Sequence, residues 1–236
     1  YGELLRRVSG RADLAVLPET FTTGFSMKNV AKLAEPMDGQ TISTVKGWAK
    51  KYGMAIMGSF LCEEEGRYYN RAFFVTPEGE VSTYDKHHLF RMGGENDYFT
   101  PGNRQTIVDY KGWKICMQVC YDLRFPVWTR NVDNKYDLLI YIANWPEVRK
   151  KAWKLLLKAR AIENMAYVCG VNRVGVDGED LTYRGDSMII DPKGDKVGTA
   201  GKREEITRTC TLKKDELEAF RKKFPAWKDA DSFVLK

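Results

Sequence analysis

The chain has 236 residues, 43% of them hydrophobic and 30% charged, and its 38 basic and 32 acidic residues leave a net charge of +6. No apolar run approaches the roughly 18 residues that span a membrane, and no signal peptide is visible, so the composition excludes a membrane protein and predicts a soluble globular one. The basic residues are scattered, which favours solvated helix faces over a nucleic-acid-binding surface, and we expect one domain over residues 1–236.

The cysteines indicate neither a disulfide framework nor a metal site. Their number, five, is odd, and their spacing is irregular. The only histidines, His87 and His88, are adjacent, so no Cys and His spacing matches a zinc site. We therefore expect no metal and a reducing, cytoplasmic compartment. The cysteines are Cys62, Cys116, Cys120, Cys169 and Cys210.

The first half of the chain is predicted to be rich in strands. An amphipathic helix over residues 3–9 leads into a strand at 13–19 that Pro18 and Glu19 end. A second helix ends at Gly53, and its apolar face consists of Ile42, Val45, Trp48, Ala49 and Tyr52. Further strands are predicted at residues 54–61, 70–75 and 81–86.

The second half begins with a predicted surface loop over residues 91–103, a length that in a compact domain is usually functional or mobile. Alternating apolar residues then predict a strand that ends at Cys120, and Pro126 suits the first turn of a helix covering Val127, Trp128 and Val132. Such a helix would favour a thiolate at Cys120 and an oxyanion beside it. The remaining predicted elements are strands at 105–110, 137–146, 166–174 and 187–195, and helices at 150–165 and 212–223.

Four polar residues each follow an apolar, strand-like run: Glu19, Lys86, Cys120 and Asn144. The irregular alternation of strands and helices favours a layered α/β architecture with a mixed sheet. Open α/β sheets usually place their sites at the carboxyl ends of the strands. We therefore expect these four side chains to meet at one edge.

A cysteine beside an acid and an amine suits acyl transfer. A free thiol is mostly protonated at neutral pH, so Cys120 needs a base, and Glu19 could supply it. The negative charge that develops on the carbonyl oxygen could be stabilised by Lys86 and by the backbone N–H of Tyr121.

Each of these residues also has a simpler interpretation. Cys120 could be an inert core residue, and Glu19 could be a solvated turn residue. Lys86 could form an exposed ion pair with Asp85, worth under about 1 kcal/mol. The two histidines would point to opposite faces of an extended run, so at most one could act as a base, and a catalytic histidine is not favoured.

Three segments, in their order and separation, resemble the signatures of the nitrilase superfamily of carbon–nitrogen hydrolases: LPETFTTGF around Glu19, YDKHHLF around Lys86 and CYDLRFP around Cys120. The resemblance covers nearly the whole chain. It implies an α/β fold, a four-layer αββα sandwich with two mixed β-sheets, and hydrolysis of amides or nitriles through a thioester-type intermediate without metal or organic cofactor. It also implies a general base at Glu19, a stabilising cation at Lys86, a nucleophile at Cys120 and an assisting carboxylate at Glu95.

Within the superfamily, the segments RMGGEND, CYDLRFPVW, LLIYIANWP and KARAIENMAYVCGVNRVG look most similar to the omega-amidase branch. This implies hydrolysis of the side-chain amide of small dicarboxylate monoamides such as 2-oxoglutaramate and 2-oxosuccinamate, with release of ammonia. Such a substrate brings a carboxylate, which Arg124 could bind, although a packing or loop-anchoring role is equally open. Trp145 could line the pocket or fill the core.

The resemblance further implies a homodimer that pairs through surface helices. Family members begin with a strand ahead of the first helix, whereas this chain starts inside that helix, so we expect the first strand to be missing. Two other interpretations stay open: another nitrilase-branch amidase or N-carbamoyl hydrolase, and a non-catalytic member that binds a partner. Nucleic-acid binding is the least favoured.

Overall fold

The computed structural model describes residues 1–235, which form two β-sheets, a small two-stranded ribbon and several helices. The strands are β1 (Leu14–Val16), β2 (Ala55–Glu64), β3 (Arg67–Val75), β4 (Val81–Asp85), β5 (Ile107–Tyr110), β6 (Trp113–Val119), β7 (Leu138–Ala143), β8 (Tyr167–Asn172), β9 (Val174–Val176), β10 (Thr182–Arg184), β11 (Met188–Ile190) and β12 (Lys196–Thr199). The α-helices are α1 (Gly2–Val8), α2 (Val30–Leu33), α3 (Gln40–Tyr52), α4 (Glu95–Tyr98), α5 (Lys150–Asn164) and α6 (Lys214–Lys223).

The smaller sheet has the strand order β1-β2-β3-β4. β1 runs parallel to β2, with Leu14 opposite Ala55, and the remaining pairs are antiparallel. β1 is shorter than the predicted strand because Leu17 still donates to Met57 O at 2.7 Å, whereas Pro18 has no N–H to continue the ladder. Among residues 1–235 the other edge of β1 has no strand beside it and borders an open groove.

The larger sheet has the order β12-β11-β8-β7-β6-β5. Its centre, β6 to β8, is parallel, with Val119 opposite Ile142 and Ala143 opposite Asn172, and its outer strands are antiparallel. Both faces of β7 are buried, which explains why its sequence is continuously apolar rather than alternating.

Four layers result from these elements, as the sequence predicted. One apolar core lies between the two sheets and includes Met57 from the smaller sheet and Ile140 from the larger one. α1 and α3 cover the outer face of the smaller sheet, where Val45 is fully buried. α5 covers the outer face of the larger sheet through Trp153 and Leu157. Within the described residues no helix combines the length and the apolar character needed to cross a bilayer.

The helix predicted from Pro126 is wrong. The chain instead forms a 3₁₀ helix at Cys120–Arg124 and turns after it. Trp128 is buried with its indole N–H donating to Tyr84 Oη at 3.0 Å, whereas the neighbouring Val127 is exposed. Anchoring Trp128 in this way holds the segment in turns, so no long helix dipole points at Cys120.

The loop predicted over residues 91–103 contains more structure than the sequence indicated. A 3₁₀ helix at Arg91–Gly93 is followed by α4, whose first residue, Glu95, is fully buried. The Glu95 carboxylate accepts a hydrogen bond from Phe90 N at 2.6 Å. The buried Glu95 carboxylate therefore ties the start of α4 to the backbone that precedes the 3₁₀ helix.

Candidate active site

Strand ends from both sheets converge on one place. Glu19 follows β1 and Lys86 follows β4 in the smaller sheet, whereas Cys120 follows β6 and Asn144 follows β7 in the larger one. The expectation that these four side chains lie at the edge of a single sheet is therefore wrong. The side chains nevertheless meet, because the two sheets stack and present these ends side by side.

Cys120 occupies a sharp corner of the backbone. Its φ is +45°, in the left-handed region that residues with a side chain adopt at a cost, and the 3₁₀ helix begins at this residue. The thiol is half-buried and lies 4.0 Å from Asn144 O. Because the first N–H groups of a helical turn have no partner within it, the N–H of Tyr121 remains available to an oxygen atom beside the sulfur.

A buried aspartate holds this corner in place. Asp122 is fully buried and accepts hydrogen bonds from Val119 N at 3.1 Å, from Tyr84 Oη at 2.8 Å and from His88 N at 2.9 Å. His88 Nδ1 also lies 2.8 Å from Asp122, and the His87 ring stacks on Trp128 with centroids 3.6 Å apart. Both histidines therefore pack into the support of the corner rather than serving Cys120 as a base.

Lys86 lies between two carboxylates. Its ammonium is 3.0 Å from Glu19 Oε1 and 2.8 Å from Glu95 Oε2, and all three side chains are completely buried. An ammonium has three N–H donors, and two carboxylates leave one of them free. The alternative of an exposed pair with Asp85 is wrong, because Asp85 pairs with Arg71 instead at 2.7 Å.

Two asparagines orient the acids, and the sequence pattern had pointed to only one of them, Asn144. Asn70 Nδ2 donates to Glu19 at 2.8 Å and to Glu95 at 3.3 Å. The backbone N–H of Asn144 donates to the other oxygen of Glu19 at 2.7 Å. Asn144 was expected here because it follows an apolar run, whereas Asn70 was missed, although an asparagine inside a strand is unusual and is itself a signal.

Burial and charge oppose each other in the ionisation of this cluster. Burial alone would lower the pKa of Lys86, but the charges of Glu19 and Glu95 raise it above its ordinary value. Burial raises the pKa of Glu95 despite the nearby lysine. The pKa of Cys120 is well above its ordinary value, because burial and the charge of Glu19 outweigh Lys86. The raised pKa therefore opposes the thiolate that the predicted helix would have favoured.

The pocket above the thiol has aromatic and cationic walls. The guanidinium of Arg124 lies over the ring of Trp145, 5.1 Å from its centroid, and both residues line the pocket together with Cys120. Trp145 is only 4% exposed and also packs against Trp153. It therefore both lines the pocket and fills part of the core. The ring of Tyr121 lies beside Phe90, with centroids 5.0 Å apart.

The arrangement brings a thiol and a buried ammonium to one pocket, with a carboxylate paired to that ammonium. Among residues 1–235 no group of three or more His, Cys, Asp or Glu side chains is arranged to hold a metal ion. Chemically, such a set of groups can add a thiol to a carbonyl carbon and stabilise the resulting oxyanion.

Comparison with known proteins relates this geometry to a family. The carbon–nitrogen hydrolase family matches residues 3–222. The omega-amidase YafV of Escherichia coli (strain K12) is 47% identical over 231 residues, a match that covers 98% of this chain and 89% of the relative. The 2-oxoglutaramate amidase of Bacillus subtilis (strain 168) is 35% identical over 228 residues, covering 95% of this chain and 87% of the relative.

A solved structure is also similar over the whole chain. It is a CN-hydrolase superfamily protein from Xanthomonas campestris with an arsenic adduct in the active site. The two structures superpose with a TM-score of 0.97 at 46% sequence identity, and the match covers 100% of this chain and 91% of that one. The similarity confirms the αββα fold that the sequence predicted.

Proposed function

The chain belongs to the carbon–nitrogen hydrolase family, and from that premise we propose that Cys120, Glu19 and Lys86 hydrolyse the side-chain amide of small dicarboxylate monoamides. The enzyme is an amidase of the omega-amidase type, and its substrates are of the 2-oxoglutaramate class. The observation that supports these residue roles best is the buried ammonium of Lys86 between Glu19 and Glu95, in the pocket that Cys120 faces.

The first half of the reaction forms a thioester. The sulfur of Cys120 attacks the amide carbon as Glu19 takes the thiol proton, which removes the unfavourable step of forming a free thiolate. The oxyanion that develops accepts hydrogen bonds from the free N–H of Lys86 and from the N–H of Tyr121. The C–N bond then breaks, and Glu19 returns the proton to the leaving nitrogen, which departs as ammonia.

The second half regenerates the enzyme. Glu19 accepts a proton from water as the water oxygen attacks the thioester carbon, and the same two donors stabilise the second oxyanion. The C–S bond breaks, the sulfur regains the proton from Glu19, and the dicarboxylic acid leaves. Each group of the site ends in its original protonation state.

Glu95 assists by fixing Lys86. Its two carboxylate oxygens accept hydrogen bonds from Lys86 and from Phe90 N, so the ammonium is held from the side opposite Glu19. A lysine without this second carboxylate would pair with Glu19 alone and would neutralise the base. We assign substrate binding to Arg124, as the cation for the distal carboxylate, and to Trp145 as a wall of the pocket.

Three properties of the whole molecule form part of the same proposal. Residues 1–236 make a single catalytic domain, since both sheets contribute to the site. The enzyme is a homodimer, as the resemblance to its family implies. We expect a reducing, cytoplasmic compartment, because all five cysteines are free thiols.

Measuring ammonia release from 2-oxoglutaramate tests the proposed function. We expect Cys120→Ala to abolish turnover, because without the sulfur no acyl-enzyme can form. Cys210→Ala is the matched control and should keep turnover near that of the unmodified enzyme, because Cys210 lies outside the pocket. Equal turnover in the two variants would overturn the mechanism.

A further inference from the structure

Two arginines face the same pocket as Cys120. Arg124 and Arg149 both line it, one after β6 and the other at the end of a 3₁₀ helix at Glu147–Arg149 that follows β7. Each guanidinium lies on an aromatic wall: Arg124 over Trp145, and Arg149 over Phe90 at 5.3 Å from the ring centroid. The omega-amidase mechanism proposed above uses only the first of them.

Arg149 has no carboxylate partner within residues 1–235, although an acid stands two positions before it. The Glu147 carboxylate is already shared by three other cations, Lys150, Arg184 and Arg203, at 3.3, 3.4 and 3.0 Å. The side chains of Arg149 and Arg124 donate no hydrogen bond to any described residue. The two guanidinium groups beside this pocket therefore keep their N–H donors free of partners among residues 1–235.

The backbone of Arg149 is fixed by the pocket wall itself. Trp145 Nε1 donates to Arg149 O at 2.9 Å, so the residue under one guanidinium also anchors the other arginine. Phe90, under Arg149, donates its N–H to Glu95, which in turn holds Lys86. These contacts fix the position of Arg149 relative to Glu95 and Lys86.

We propose that Arg149 is a specificity-determining residue that binds the distal carboxylate of the substrate together with Arg124. The inference rests on the proposed function and identifies the group that selects its substrate class. A 2-oxocarboxylate end offers a carboxylate and an adjacent carbonyl oxygen, which matches two planar, fork-shaped donors better than one. A neutral amide of the same length leaves both guanidinium groups without an acceptor.

The test compares two substrates in two variants. Arg149→Met removes the charge at similar length, and Lys150→Met removes the neighbouring cation, which pairs with Glu147 outside the pocket. For each protein, kcat/KM is measured on 2-oxoglutaramate and on pentanamide, which lacks the carboxylate. We expect Arg149→Met to lose about 10- to 100-fold more on the charged substrate than on the neutral one, mainly through KM. Lys150→Met should change kcat/KM to the same extent for both substrates.

A binding measurement removes the dependence on turnover. The product 2-oxoglutarate is titrated calorimetrically into Cys120→Ala and into the double variant Cys120→Ala with Arg149→Met. We expect its affinity to fall by about tenfold or more in the double variant. Equal affinities, or an unchanged substrate preference in Arg149→Met, would overturn the role of Arg149 and leave the amidase function intact. If the unmodified enzyme itself shows no preference for 2-oxoglutaramate over pentanamide, the substrate class of the proposed function fails instead.

Discussion

At the scale of single residues, the pKa of the Cys120 thiol bears most directly on how this cysteine is activated. A low thiol pKa is one way to activate a cysteine, but here burial and the charge of Glu19 raise it. The raised pKa opposes thiolate formation, and Glu19, whose charge contributes to it, is also the group that we propose as the general base. Under that proposal, the cysteine is activated during attack rather than before it.

Substitution of Glu19 separates its effect on the pKa of Cys120 from its proposed role as the base. Since the thiol pKa is above its ordinary value, alkylation of Cys120 by iodoacetamide should be slow at neutral pH and should rise with pH. Glu19→Gln removes a negative charge that opposes the thiolate while Lys86 remains. We expect the pH midpoint of alkylation, followed by mass spectrometry, to fall, and ammonia release to fall by about 10² or more.

The control for this prediction is Glu78→Gln, which changes an exposed acid on the turn before β4. It should leave both the alkylation midpoint and the turnover unchanged. A midpoint in Glu19→Gln that equals or exceeds that of the unmodified enzyme would contradict the account of the resting thiol.

At the scale of elements, Lys86 depends on a close approach of backbone. The segment at Gly102 lies against the end of β4, and Gly102 N donates to Lys86 O at 3.0 Å. A Cβ atom at Gly102 would overlap the backbone oxygen of Asp85, so one of the two backbone segments would have to shift. Glycine at this position therefore permits the geometry of the neighbouring lysine.

Gly102→Ala should consequently cost stability and activity together. We expect the free energy of unfolding to fall by about 1 to 3 kcal/mol, the usual cost of overpacking, in urea titrations. Gly47→Ala is the matched control, because Gly47 is exposed on α3 and a Cβ there meets nothing within 4 Å. That variant should gain up to about 1 kcal/mol from helix propensity. Equal effects of the two substitutions would refute the proposed backbone contact.

At the scale of the whole molecule, the outer helical layer has an apolar surface of its own. Leu155 and Ile162 on α5 are 58% and 50% exposed, although the opposite face of the same helix is buried on the larger sheet. Val127 and Val132 are exposed as well, and Arg130 between them donates to Glu163 O at 2.6 Å, which ties that segment to the end of α5. We propose that these exposed apolar residues contribute to the interface of the proposed homodimer.

We expect light scattering to give about twice the chain mass of 27.1 kDa. Leu155→Glu should shift that mass toward the single chain, since a charge would be buried at the interface. Val176→Glu places the same charge at an exposed apolar residue of the β9-β10 ribbon and should leave the dimer intact. A mass of a single chain for the unmodified protein would exclude the proposed dimer.

The sequence by itself determined the residue types of the site and the fold that carries them. Glu19, Lys86 and Cys120 could be selected because each follows an apolar run, and the resemblance of the segments around them predicted the αββα layers. Helix α3 and its end at Gly53 were also predictable, because apolar spacing and a left-handed glycine are local signals.

Only the tertiary structure decided which sheet each residue belongs to, which neighbours it has and in which direction those neighbours shift the pKa of Cys120. Asn70 reaches Glu19 across 51 positions of the chain, and the backbone of Asn144 reaches it across 125, so no local pattern announces either contact. The helix after Pro126 was mispredicted, and the raised pKa of Cys120 was not anticipated, for the same reason. Burial of Cys120 and the anchoring of Trp128 both arise from packing between distant segments. That packing outweighs local sequence preferences, both for the pKa of the thiol and for the backbone conformation after Pro126.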